Sequence, residues 1–213
     1  MMGPEHGILG AVVSHLGFHQ KWGARITGVL VVASLAPDAD SLAMLGGRQA
    51  FYVFHRTLFH SFLGVVVLAA LLAGLCRVVP LLAGRLGPVN GRVGRAAAYL
   101  AAPEGNCLRN WPLLFGVALL GMAVHLGADI IYPWELPLLW PFASREFVFP
   151  LVDWGDRIVL TIMVGSMFGL ALWRGGTRRV AVASLAALGG YLLLRATVWP
   201  ADIQPGSLLA AWL

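Results

Sequence analysis

"WPLLFGVALLGMAVHLGAD" (residues 111–129) is the stretch on which the fold turns. It carries no charge from Trp111 to Val124, then closes on His125 and Asp129. About 20 apolar residues cross the hydrocarbon of a bilayer as a helix. The stretch therefore reads as a membrane helix whose polar residues sit at one end. His125 and Asp129 are four apart, so they share a helix face and can grip one ion.

The rest of the chain repeats this design. Of 213 residues, 59% are hydrophobic and 12% charged, against about a quarter charged in a soluble domain. Mean hydropathy is +0.78. Apolar segments fall at residues 7–18, 24–37, 61–79, 111–128, 157–174 and 179–197. The last four approach the length of a bilayer span and the first two are short. These features predict an all-α, polytopic membrane helical bundle, with about four to six membrane-embedded helices in one domain over residues 1–213. The bilayer is then its first partner. The net charge of +5 comes from arginines scattered between apolar segments, so no nucleic-acid partner is expected. The start, "MMGPEHGILG", has no basic leader region, and no cleavable signal peptide is expected. Cys76 and Cys107 match neither a zinc spacing nor a redox motif.

If the segments alternate across the membrane, one side receives Lys21, Arg25, Arg77, Arg85, Arg92, Arg95, Arg109, Arg174, Arg178 and Arg179. The positive-inside rule makes that side cytoplasmic. Both cysteines fall there, so no disulfide is expected. His6, Asp38, Asp40, His55, Arg56, His60, His125 and Asp129 all fall at the other end. A charged side chain at the centre of a membrane helix costs about 2.5–3.5 kcal/mol on insertion scales. Several grouped in one layer imply a cation or a water-filled cleft. Asp38 and Asp40 follow Pro37, and an extended chain there would point both the same way. His55 and His60 converge only if a helix starts between them, whereas Arg56 and His60 share a helical face. His15 reads as a packed core histidine. Imidazole and carboxylate donors suit zinc, manganese or iron.

"HGILGAV" (6–12), "LAPDAD" (35–40), "HRTLFHS" (55–61), "HLGAD" (125–129) and "LLWPFASREFVFP" (138–150) occur in the order of the YdjM-type family. The chain resembles that family over about residues 5–160. Its members are described as inner-membrane metal-dependent hydrolases and as LexA-binding. The resemblance implies a divalent-metal site, zinc first among the candidates. The metal ligands it implies are His6, Asp40, His55, His125 and Asp129. Asp38 would be a ligand or general base, His60 a ligand or proton donor, and Arg56 a clamp for an anionic group. After Asp129 this chain has "IIYPWELP" where relatives often show Thr and Gly, which puts the substrate-side loop in question rather than the ligands. The order is also similar to the zinc phospholipase C and single-strand nuclease superfamily. No histidine follows His125 here, so a mono- or dinuclear site is expected rather than a trinuclear one.

These features predict a hydrolase of a lipid or other amphiphilic phosphoester, with its site at the extracytoplasmic face of the inner membrane. Tyr132, Trp134, Trp140, Phe142, Phe147, Phe149 and Trp154 would seat the substrate or form an aromatic belt. Two rival readings are an ion-binding transporter and a non-enzymatic partner protein with a structural metal. The apolar middles of segments 61–79 and 111–124 argue against transport.

Overall fold

The computed structural model describes residues 3–50, 57–85 and 110–198, with the side chains of 79–85 excepted. Among these the helices are α1 (Gly3–Ser14), α2 (Phe18–Trp22), α3 (Ala24–Leu35), α4 (Phe62–Arg85), α5 (Trp111–Asp129), α6 (Arg157–Leu172) and α7 (Thr177–Val198). A 3₁₀ segment, Pro37–Gly46, follows α3, and a 3₁₀ turn, Leu58–His60, precedes α4. The described residues contain no strand, only one antiparallel bridge between Leu136 and Phe147. The all-helical expectation holds.

Local chemistry sets the helix ends. The Asn110 side chain accepts the Leu113 N–H, and Pro112 fills the first turn of α5. Asp156 accepts the N–H groups of Ile158 and Val159 and so starts α6. Ser61 accepts the Gly64 N–H at 3.0 Å and starts α4 directly behind His60. Gly23, at φ 76°, supplies the left-handed residue between α2 and α3.

α3 packs between α1 and α5, α4 covers the other side of α5, and α6 pairs with α7 while leaning on α1. Glycine makes the central contacts possible. A Cβ on Gly10 would stand 2.5 Å from Ser34 Oγ, and one on Gly121 would stand 2.7 Å from the Ala33 Cβ and 2.9 Å from the Leu30 carbonyl oxygen. Small residues at such crossings let helix backbones approach closely, as in other membrane bundles. Ser34 Oγ then donates across the gap to the Gly121 carbonyl at 3.2 Å.

By length and composition, α5 and the stretch Arg174–Val198 can each cross a membrane. The pair Ala24–Leu35 and Pro37–Gly46, bent by 50°, makes a third if it counts as one span. α4 is 24 residues long, and Arg157–Leu172 is a shorter apolar helix. The sequence reading expected four near-full spans. α6 falls short because Asp156 caps it at one end and the Trp173–Gly176 turn closes it at the other, leaving 16 residues, or about 24 Å.

Candidate metal centre

Four segments deliver polar side chains to one end of the bundle. α1 brings His6 in its first turns, and the 3₁₀ segment after α3 brings Asp38 and Asp40. The turn before α4 brings His60, and the last turn of α5 brings His125 and Asp129. His6, His60, His125 and Asp129 are fully buried, whereas the Asp38 side chain is 23% exposed.

His125 is oriented by the neighbouring helix. Its Nδ1–H donates to the Ser34 carbonyl at 2.7 Å, which leaves the Nε2 lone pair facing the cluster. Asp40 Oδ2 stands 3.1 Å from His60 Nδ1 and draws the His60 proton to that side. The two Nε2 atoms then meet at 3.2 Å. Two facing lone pairs at that distance repel unless a proton or a cation lies between them. Asp38 Oδ1 is 3.8 Å from His60 Nε2 and 3.6 Å from His125 Nε2, and Asp129 Oδ2 is 3.5 Å from each. Four donors held about 2.1 Å from a shared centre would stand about 3.4 Å apart. The His60, His125 and Asp129 donor atoms, 3.2–3.5 Å apart, come near that spacing, and Asp38 Oδ1 stands slightly wider.

His6 approaches from the other side, its ring stacked on that of His125 at 3.8 Å. Its Nε2 is 3.2 Å from Asp129 Oδ1 and 4.0 Å from Asp38 Oδ2. Donor atoms of His6, Asp38, His125 and Asp129 all lie within 4.8 Å of one another. Among the described residues, the buried His6 Nδ1 has no hydrogen-bond partner, while Nε2 faces the Asp129 carboxylate. A buried polar atom without a partner costs about 1–3 kcal/mol, and a metal ligand would remove that cost. Asp38 and Asp129 each turn one oxygen toward His6 and the other toward His60 and His125. Carboxylates so placed can hold one ion or bridge two.

Burial opposes protonation of His60, but its hydrogen bonds to Asp129 and Asp40 outweigh burial and raise its pKa. The carboxylates thus favour positive charge at this point.

Asp38 and Asp40 do not lie in an extended chain. The 3₁₀ segment places them about 240° apart around its axis. Asp38 therefore faces the Nε2 atoms while Asp40 takes the Nδ1 side of His60. His15 is buried and its Nδ1 donates to the Ala11 carbonyl, with its ring stacked on His19. It is the core histidine the sequence suggested. His55, Arg56 and Cys107 lie outside the described residues, and Cys76 is a free thiol. Sequence reasoning missed the Ser34 backbone carbonyl, which orients His125. A main-chain acceptor carries no signature in the sequence, and only the packing of α3 against α5 reveals it.

The segment from Ile130 to Asp156 forms the rim beside Asp129. The Leu136–Phe147 bridge closes it on itself, and a bond from Phe62 N–H to the Leu138 carbonyl at 2.9 Å and one from Arg195 Nε to the Leu151 carbonyl at 2.8 Å hold it to the helices. Trp134, Trp140, Phe142, Phe149 and Trp154 are exposed on it. Tyr132 departs from the expected belt. It is buried among Leu9, Ala128, Val152, Val159 and Met163, and burial with nearby carboxylates raises its pKa. The bridge also sets Glu135 beside Glu146, and the hydrogen bond between them raises the Glu146 pKa.

The sequence model of the YdjM inner membrane protein family matches residues 1–200. The chain belongs to that family. No curated protein and no solved structure matches it. The further likeness to zinc phospholipase C therefore rests on residue order alone. Within this YdjM-family chain the matched region contains every residue of the His/Asp cluster.

Proposed function

We propose that this YdjM-family chain is a multi-pass, metal-dependent hydrolase of a lipid or other amphiphilic phosphoester, with its centre at the extracytoplasmic face. The observation that carries the reading is the pair of Nε2 atoms 3.2 Å apart, flanked by two carboxylates in a buried layer. His6, His60, His125, Asp38 and Asp129 would hold the ion, and zinc, manganese and iron all suit such donors. When bound, a divalent ion supplies Lewis acidity and an activated water. Asp40 fixes the His60 ring. Asp38, the most exposed of the donors, is the residue placed to accept a proton from an incoming water. The exposed aromatic rim supports an amphiphilic substrate, because tryptophans settle where acyl chains meet headgroups. Arg56 is assigned to the developing negative charge of the phosphoester.

The test begins with elemental analysis of the detergent-purified protein, comparing wild type with Asp129→Ala and His15→Ala. Stoichiometric metal in wild type and His15→Ala, and little in Asp129→Ala, is the expected result. Lipid and polyprenyl phosphoesters are then screened with added zinc or manganese. Metal binding without metal-dependent turnover on any of them would remove the hydrolase reading and favour a structural or transport role.

A further inference from the structure

A second polar feature lies away from the His/Asp centre. α1 carries His6 near its start and leads at its other end to α2. There the Gln20 side chain donates to Thr177 Oγ1 at 3.4 Å, at the start of α7. The turn joining α6 to α7 closes on this contact. It borders an open cleft of about 400 Å³ lined by Gln20, Trp173, Thr177, Arg174, Arg178 and Arg179, within the size range of ligand sites. Among the described residues, no carboxylate pairs with any of the three guanidinium groups.

The backbone of the turn also favours an anion. α7 is 22 residues long, and its first N–H groups have no acceptor within the helix and form the positive end of its dipole. Gly176 lets the Trp173 indole pack close, since a Cβ there would stand 2.8 Å from it and the ring would have to move. Gly175 faces open space, so no side chain fills that part of the wall. Cavity, helix start and guanidinium groups without a carboxylate among the described residues converge on one place.

The surroundings indicate which anion. α6 runs from Asp156, at the end of the aromatic rim, to this turn at Trp173. Met167, Phe168 and Leu172 are exposed on the last turns of α6, leading up to the cavity. A phosphate in the cavity could therefore keep its acyl chains against these side chains.

We propose that the α6–α7 turn binds the phosphate of an anionic phospholipid, with Arg174, Arg178 and Arg179 as its ligands. Basic pockets between membrane helices take such headgroups. A purely topological role for the three arginines needs only positive charge, whereas a phosphate clamp uses the planar fork that lysine lacks.

The experiment is native mass spectrometry of the full chain, titrated with phosphatidylglycerol or phosphatidylcholine. The wild type should retain phosphatidylglycerol in preference. The preference should fall about fivefold for each arginine replaced by glutamine, beginning with Arg178→Gln and ending with the triple variant. Metal content at the distant centre reports that each variant is folded. The triple lysine variant should recover only part of the preference. Equal retention of the two lipids by wild type, or full recovery with lysine, would overturn the proposal. A thermal-shift arm with inorganic phosphate tests the other source of the same chemistry. Stabilisation by free phosphate without any preference for phosphatidylglycerol would overturn the lipid assignment.

Discussion

Gly121→Ala should weaken metal binding although residue 121 offers no donor side chain to the ion. The added Cβ would lie 2.7 Å from the Ala33 Cβ and 2.9 Å from the Leu30 carbonyl oxygen. Carbon atoms in ordinary contact stand about 3.5–4.0 Å apart, so α3 and α5 must separate by about 1 Å. The bond from His125 Nδ1 to the Ser34 carbonyl crosses the same interface at 2.7 Å. Lengthened by about that amount, it leaves the hydrogen-bonding range. Losing a partner that orients a metal-bound histidine typically costs about 10–100-fold in affinity. Overpacking adds about 1–3 kcal/mol of instability, against a gain of about 1 kcal/mol from replacing helical glycine with alanine. Gly116→Ala is the control, because nothing lies within 4 Å of its Cβ position on the same helix. It should show only the gain. The assay is a chelator-competition titration of zinc, paired with thermal unfolding in detergent. Unchanged affinity and unfolding temperature in Gly121→Ala would refute the claim that this helix contact holds His125 in place.

Asp40→Asn should keep the fold and retain metal, with affinity lowered about 10–100-fold, as read by the same titration; complete loss would make Asp40 a direct ligand. Ser61→Ala removes the side chain that accepts the Gly64 N–H and should cost about 1 kcal/mol, measured by thermal unfolding. A periplasmic reporter fused after Ala101 should be inactive and one fused near Ser144 active; the opposite pattern would place the centre on the cytoplasmic face.

The membrane class and the helix order were legible because uncharged runs and their polar ends survive any packing arrangement. His125 and Asp129 were legible together because i,i+4 spacing fixes a shared face before the fold is known. The division of labour between Asp38 and Asp40 was not. Proline is compatible with both an extended chain and the first turn of a helix, and the choice depends on what α3 packs against. Tyr132 was misplaced among interfacial aromatics for a similar reason. Its sequence neighbourhood matches that of Trp134, but the rim folds back over it through the bonds from Phe149 and Leu151 to Ile130 and Ile131. Ser34 was invisible because its role depends on a partner far along the chain.

The order in which the donors appear along the chain has a consequence for biogenesis. His6 is made before Asp129, which closes a helix more than a hundred residues further along the chain. No ion can be fully gripped until α5 has been delivered to the membrane beside α3. A bound ion would tie together the four segments that supply the His/Asp cluster. An ion present at 100 times its dissociation constant adds about 2.7 kcal/mol to stability, a substantial fraction of what most domains possess. Metal supply during synthesis would thus act as a checkpoint. Chains that mature in a chelated medium would reach the membrane with a correct helix order and an open end, and proteases at that surface would see them first.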